Sequence, residues 1–211
     1  MTILNDFQFP EIFLEMNEQG WLDSRNFINF KNFESQKYLW LYDMEWLTCE
    51  KILHYQYEEY ESRSIVPFAI TGGGDKWAWY LEFKQKLPVV YCPHDDDEGL
   101  FYAENIEAAI FRQILEFVSQ NNFFHEVGQS WEMSIFDAKR HLKNWRTRFK
   151  KWFKKEWNDE LDKLITLDLK YYSHNSGGYY VLITPEEAKE KIERYLNFNL
   201  LNKSFIWTNQ D

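Results

Sequence analysis

IVPFAITGGGDKWAWYLEFKQKLPVVYC, residues 65–92, is the stretch that decides the fold. It opens with a short apolar run, passes through Gly72–Asp75, and then alternates, with Trp77 and Trp79 separated by smaller or polar residues. Alternation with a period of two predicts a strand, and glycines supply the positive φ angles that tight turns require. The stretch therefore predicts three adjacent antiparallel strands, with Gly72–Asp75 at the first turn.

The glycine-rich turn invites comparison with phosphate-binding loops. A P-loop places its glycines in the pattern GxxxxGK[ST] ahead of a helix, so that backbone N–H groups and the helix N-terminus face the phosphate. Here the chain continues from Lys76 as a strand, and the glycine-rich dinucleotide fingerprint fails for the same reason. We expect a hairpin turn and no bound cofactor.

Helical spacing of apolar residues surrounds the predicted strands. Residues 9–19 and 35–60 show it, the second with an interruption at Trp46-Leu47, and residues 103–119 show it again. Between them, the acidic residues 95–99 predict an exposed turn. The order of helices, antiparallel strands and helix predicts an α+β fold with a mainly antiparallel sheet flanked by helices.

The pattern changes beyond residue 120. An amphipathic helix is predicted over residues 136–157, followed by strand-like segments at 165–172 and 179–183. Thr184-Pro185 is a good helix start, because Thr is a favoured cap and Pro a favoured first residue. The helix should run to about Leu196.

Charge divides the chain in the same region. The 211 residues carry a net charge of −10, yet residues 1–120 hold 21 acidic and 9 basic side chains, whereas the rest hold 13 acidic and 15 basic. We expect a first domain at residues 1–125 and an α/β extension at residues 126–211, made of a basic helix, a hairpin and a second helix packed on the first domain. The acidic field repels nucleic acid and steers a basic partner to the first domain.

Composition bounds the class of protein. Apolar residues make up 45% and aromatic residues 19% of the chain, which suits a globular domain with both core and adhesive aromatic surface. No apolar run approaches the roughly 20 residues of a membrane span, and the start lacks the features of a signal peptide. We expect a cytoplasmic protein that does not bind membranes, with Cys49 and Cys92 as unlinked thiols.

Sequence motifs for catalysis or metal binding are sparse. Cys92, His94 and Asp95 combine metal-ligating types at one place, but the 5 histidines are scattered and the acid run at 95–98 lacks the spacing of a calcium loop. No GxSxG, HExxH, SxxK or kinase motif is present. Catalytic groups that meet only in space stay open, but we expect neither an enzyme nor a metal site.

Residues 138–155 contain nine basic residues and no acidic one. The interleaved rings of Trp145, Phe149, Trp152 and Phe153 suit phosphate contact with base stacking, or an anionic membrane surface. Alternatively, these rings form an apolar stripe that faces the core of the protein. The lysines and arginines then neutralise the acidic domain of the same chain or contact a protein partner. Nucleic acid is the less expected partner.

Motifs within residues 65–118 resemble a known family. They are Pro67-Phe68-Ala69, Gly72-Gly73-Gly74-Asp75-Lys76-Trp77-Ala78-Trp79, Pro88-Val89-Val90-Tyr91-Cys92-Pro93-His94-Asp95 and Tyr102-Ala103-Glu104-Asn105. Together they resemble the SUKH superfamily, which includes yeast regulators of glucan synthesis and cell-wall assembly and many bacterial immunity proteins. Residues 120–211 lie largely outside the matched pattern.

The resemblance implies an α+β domain without a catalytic centre that works by binding another protein. In bacterial members that partner is typically a toxin, often a nuclease. An acidic, aromatic-rich domain suits the capture of a basic nucleic-acid-cleaving enzyme. The leading hypothesis is an immunity protein that neutralises a basic toxin domain, and the alternative is a nucleic-acid-binding or cell-wall-regulatory protein acting through residues 138–155.

The candidate contacts with a basic partner are acids of the first domain. Two short clusters follow a predicted helix and occupy a predicted turn, where side chains reach solvent, and Asp75 joins them from the glycine-rich turn. The set is Glu58, Glu59, Glu61, Asp75, Asp95, Asp96, Asp97 and Glu98. Charge runs also serve only to keep proteins soluble, and the sequence leaves that alternative open.

Overall fold

The structure is a computed structural model that describes residues 7–28, 37–41, 43–83, 87–123, 133–174 and 177–209. Its helices are α1 (Glu11–Glu18), α2 (Cys49–Leu53), α3 (Ile106–Phe117), α4 (Ile135–Arg148), α5 (Lys155–Thr166) and α6 (Pro185–Leu196). Its strands are β1 (Glu45–Trp46), β2 (Ile65–Ile70), β3 (Lys76–Tyr80), β4 (Val89–Cys92), β5 (Glu98–Ala103), β6 (Lys170–His174), β7 (Gly177–Val181) and β8 (Ser204–Ile206). The predicted α+β class is confirmed. No helix within the described residues is long and apolar enough to cross a membrane.

The chain divides into two compact units. Among the described residues, the first unit takes those up to Ala109 and those from Phe198 onward, and the second takes Ile110 to Asn197. This division differs from the expected domains at 1–125 and 126–211. Part of the difference arises because the last residues return to the first unit, where β8 pairs with β5.

The first unit contains an antiparallel sheet in the order β1-β2-β3-β4-β5-β8. The three predicted strands are confirmed as β2, β3 and β4, each paired with the next. Gly72–Asp75 forms the turn between β2 and β3, closed by hydrogen bonds from Gly74 N to Thr71 O at 3.0 Å and from Thr71 N to Asp75 O at 2.9 Å. Gly74 has φ +98°, a conformation that favours glycine. No helix follows this turn, so the phosphate-loop alternative fails.

Both faces of the sheet are buried. On one face, Phe13 of α1 and Phe68 pack against Trp79, with ring centroids 4.9 and 4.6 Å away. The other face carries a second apolar cluster of Ile65, Ala78, Val90, Cys92, Phe101 and Trp207. A sheet covered on both faces leaves few positions for polar side chains, which explains why rings dominate its strands.

The second unit is mainly helical, with the β6–β7 hairpin as its two-stranded sheet. Phe111 stacks on Trp157 at 4.8 Å, and Phe117 meets Trp145 edge-on at 5.3 Å. The predicted helix start at Thr184 is confirmed as a capping box, in which the Thr184 side chain and Glu187 satisfy each other's backbone N–H groups.

Two predicted helices differ from the structure. Within residues 35–60 only α2 is helical among the described residues, because Trp46 turns inward in β1 and Thr48 caps a new helix. The predicted helix 136–157 is two helices, α4 and α5. Asn158 of α5 stabilises the turn between the two helices, because its Nδ2 donates to the carbonyls of Lys150 and Phe153, both at 3.0 Å. α5 also occupies the start of the strand predicted at 165–172.

Candidate partner-binding surface

The acid turn that leads into β5 has four exposed residues, Asp95, Asp96, Asp97 and Glu98. Its backbone is nevertheless fixed by the C-terminal segment. Trp207 Nε1 donates to Asp96 O at 2.8 Å, and Trp207 N donates to Asp97 O at 3.1 Å. Asp96 Oδ1 also accepts from Glu98 N at 2.9 Å. The turn therefore presents its charges from an ordered backbone.

The loop after α2 presents a second pair of exposed acids, Glu58 and Glu59. Asn209 fixes this loop through its backbone N, which donates to Tyr60 O at 2.7 Å, and through Nδ2, which donates to Glu59 O at 2.8 Å and Glu61 O at 3.1 Å. The same C-terminal segment thus contacts both acid clusters.

Residues 207–209 join the two clusters. Thr208 Oγ1 donates to Asp97 Oδ1 at 3.0 Å, while Thr208 also forms a β-bridge with Glu61. Ser62 N donates to Trp207 O at 3.1 Å. Because three consecutive residues bond to both loops, the exposed acids lie on one surface. We call this surface the acidic rim, defined by Glu58, Glu59, Asp95, Asp96, Asp97 and Glu98.

Exposed apolar side chains lie beside the acidic rim. Tyr60 is 46% exposed and packs edge-on against the buried ring of Trp207, with centroids 5.9 Å apart. Leu100 and Ile206 are 41% and 47% exposed, and the β5–β8 register pairs Ile206 with Glu98. An exposed tyrosine beside charged residues is a composition typical of protein interfaces.

Glu61 does not belong to this exposed surface, contrary to its place among the sequence candidates. It is only 1% exposed, and its Oε1 lies 2.7 Å from Lys76 Nζ, itself buried. Tyr55 Oη donates to Glu61 at 3.2 Å and Glu58 N donates to it at 3.0 Å. Burial raises the pKa of Tyr55, and the Glu61 charge adds to the effect. Lys76 Nζ lies 5.2 Å from the Trp207 ring, so the ion pair supports the segment that joins the rim.

Asp75 organises the glycine-rich turn and has little outward surface. Its side chain is 17% exposed and accepts hydrogen bonds from Tyr91 Oη at 2.5 Å, from Thr71 Oγ1 at 3.1 Å and from His94 N at 3.0 Å. His94 Nδ1 lies 2.7 Å from its Oδ1. Burial works against ionisation, but the hydrogen bonds from Tyr91 and His94 outweigh it and hold the pKa of Asp75 well below its usual range.

The sequence analysis missed the C-terminal segment, although one residue carried a signal. A Cβ on Gly99 would lie 2.8 Å from the Phe205 ring and 2.9 Å from Tyr91 O. Only glycine therefore allows Phe205 of β8 to pack onto β5 at this point. Gly99 reads locally as part of a turn, because its packing partner lies more than a hundred residues away.

The basic stretch 138–155 uses most of its rings for the core of the second unit. Three of its four rings are buried: Trp145, Phe149 and Phe153. Arg146 pairs with Asp162 at 3.0 Å, and Lys139 with Asp168 at 3.3 Å, so part of its charge is neutralised by acids of the same unit. Buried rings cannot stack on bases, and of the four only Trp152 is partly exposed.

The residues that suggested a metal site are not brought together. Cys92 lies in the apolar cluster of the sheet, while His94 is exposed and bonded to Asp75. Within the described part of the chain, no group of three His, Cys, Asp or Glu side chains could hold a metal ion. Cys49 and Cys92 are both free thiols, and burial raises the pKa of each.

Comparison with known proteins adds no relative. No family model, no curated protein and no solved structure matches this chain.

Proposed function

We propose that this chain is a non-enzymatic protein-interaction module, an immunity protein that binds and neutralises a basic toxin domain through the acidic rim. The observation that carries the proposal is the joining of two sequence-distant acid clusters by residues 207–209. Hydrogen bonds from Trp207 and Asn209 hold both loops, so six carboxylates and the exposed Tyr60 share one ordered surface.

Charge is the first physical reason for this choice. A cluster of like carboxylates creates a field that attracts a basic protein and raises its association rate by roughly 10- to 1,000-fold at low salt. A nuclease must carry a basic surface in order to bind phosphates. The acidic rim presents the same sign of charge as those phosphates, so it can occupy that surface.

Rigidity is the second reason. The backbone of both acid-bearing loops is hydrogen-bonded to the C-terminal segment, and β8 anchors that segment to the sheet. A surface that is ordered before binding loses less conformational entropy on association. Beside the charges, Tyr60 and Ile206 supply apolar contact area, which gives affinity that charge alone does not.

The SUKH-like motifs support the same hypothesis, since the family they resemble acts by binding proteins. They coincide with β2 to β5, the strands that position the rim. The rival hypothesis, nucleic-acid binding through residues 138–155, loses support because Trp145, Phe149 and Phe153 are buried. We therefore favour a protein partner and no enzymatic activity.

The test begins with the gene beside this one, because immunity proteins are encoded next to their toxins. The C-terminal domain of a secreted toxin encoded there is expressed with the wild-type chain, and growth and complex formation are measured. We expect protection and a one-to-one complex. Changing the six rim acids to their amides should abolish protection, whereas changing Glu11 and Glu18, also exposed acids of the first unit, should not. Undiminished protection by the rim variant would contradict the proposal.

A further inference from the structure

A groove separate from the acidic rim opens in the first unit. Its volume is about 610 Å³, within the usual range of ligand pockets, and the described residues that line it include Phe27, Trp40 and Trp46. Asp43 and Glu45 lie on its wall and are exposed. The groove thus combines aromatic rings with two carboxylates.

Hydrogen bonds fix the walls of this groove. Trp46 Nε1 donates to Leu39 O at 2.9 Å, and Trp77 Nε1 donates to Asp43 O at 2.8 Å. Asp43 has φ +60°, a left-handed conformation that aspartate tolerates better than most residues and that directs the chain into β1. The groove is therefore built by buried side chains and is present before any ligand arrives.

Glu45 lies beside the glycine-rich turn of the first unit. Glu45 pairs with Ile70 in the sheet, and a Cβ on Gly72 would lie only 3.6 Å from Glu45 Oε1. The missing side chain at Gly72 leaves room beside the Glu45 carboxylate. Two residues earlier, Asp43 adds a second negative charge to the same wall.

The chemistry of this wall selects a cation. Aromatic faces carry negative electrostatic potential and bind guanidinium and ammonium groups, and the two carboxylates attract the same groups. We propose that the groove binds an arginine side chain of a protein partner, with its guanidinium at Asp43 and Glu45 and its aliphatic stem along Phe27 and Trp40. This inference rests on the proposed function, because it takes the partner to be basic.

Arginine is the preferred occupant over lysine for a geometric reason. Its planar guanidinium both stacks on rings and bonds carboxylates in a forked arrangement, whereas an ammonium acts as a point charge. Lys51 also lines the groove and carries a positive charge. The forked donors of a guanidinium can bond a carboxylate while the stem lies on the rings.

The experiment titrates the isolated chain with N-acetyl-arginine amide and follows the indole N–H signals of Trp40, Trp46 and Trp77 by NMR. The neutral analogue N-acetyl-citrulline amide has nearly the same shape and serves as the ligand control. We expect saturable shifts for these indoles with the arginine compound, and binding about fivefold or more weaker with citrulline. Equal affinity for the two compounds, or no saturable shift at these indoles, would overturn the inference.

Two matched variants complete the test. D43N/E45Q removes both charges, and asparagine also tolerates the left-handed conformation at residue 43. This double variant should bind the arginine compound at least about fivefold more weakly than the wild type does. E11Q/E18Q removes two exposed charges elsewhere in the first unit and should bind like the wild type. Unchanged spectra outside the groove verify folding, and equal binding by D43N/E45Q would overturn the inference. The assay contains no toxin, so a negative result bears on the groove alone and is distinguishable from failure of the proposed toxin binding at the acidic rim.

Discussion

Replacing Lys76 with methionine removes the partner of a carboxylate that is only 1% exposed, while it keeps most of the length of the side chain. Glu61 Oε1 loses its contact with Lys76 Nζ at 2.7 Å and keeps only the weaker donors Tyr55 Oη and Glu58 N. Breaking a buried ion pair from one side costs about 3–5 kcal/mol, because an uncompensated charge stays buried. At an m-value of roughly 2 kcal/mol/M, the urea midpoint should fall by about 2 M.

The double variant K76M/E61Q separates this cost from ordinary packing loss. It leaves no buried charge, so we expect it to be more stable than the sum of the single variants implies, by about 1–3 kcal/mol. K155M is the control, since Lys155 pairs with Asp159 at the surface and its loss should not move the midpoint measurably. Unfolding is followed by tryptophan fluorescence and far-UV circular dichroism. A Lys76 variant as stable as the Lys155 variant, or strictly additive effects, would refute the reasoning.

Three further predictions concern Asp75 of the glycine-rich turn and two residues that support the acidic rim, Gly99 and Asn209. Asp75→Asn should lower the free energy of unfolding by about 1–3 kcal/mol at pH 7. The pKa of Asp75 is lower in the folded chain than its unfolded value of about 3.9, so the carboxylate stabilises the fold above that pH and the stabilisation is lost as pH falls. The unfolding curves of the variant and the wild type should therefore converge in acid. Gly99→Ala should destabilise the fold by about 1–3 kcal/mol and speed hydrogen exchange in β8, because the added Cβ would lie 2.8 Å from the Phe205 ring. Gly177→Ala is the control, since its Cβ would have nothing within 4 Å, and it should leave that exchange unchanged. Asn209→Ala removes the bonds to Glu59 O and Glu61 O, so it should speed dissociation of the proposed toxin partner by about three- to tenfold in surface plasmon resonance. An unchanged off-rate would count against the joining role of residues 207–209.

Local patterns predicted the centre of the sheet and the last helix. Residues 65–92 carry alternation and turn chemistry that agree with each other, and the Thr184 capping box needs only its own four residues. Lys76 shows the limit of the same reasoning. Its position in an alternating strand suggests exposure, but both faces of the sheet are covered, so it is buried and paired with Glu61.

The acidic rim could be predicted only in part. The two clusters of exposed acids were visible in the sequence, but their joining depends on Trp207 and Asn209, which are separated from Asp96 and Glu59 by more than a hundred residues. Pairing over such distances leaves no periodic signal in a short strand such as β8. Glu61 was misplaced for the same reason, because a buried acid and an exposed acid look alike until the partner lysine is located.

The association rate of this chain with its proposed partner, a toxin domain encoded beside it, tests the central claim most directly when measured by stopped flow. The wild type is compared, at 0.1 M and 1 M salt, with a variant in which Glu58, Glu59 and the acids of 95–98 are changed to their amides. The amides preserve the side-chain oxygens that accept hydrogen bonds from Glu98 N and Thr208 Oγ1. The Debye length shrinks from about 10 Å to about 3 Å over that range. We predict that the wild-type rate falls by about tenfold or more with salt, while the variant associates slowly at both concentrations. Equal rates with equal salt dependence for the two proteins would contradict the account.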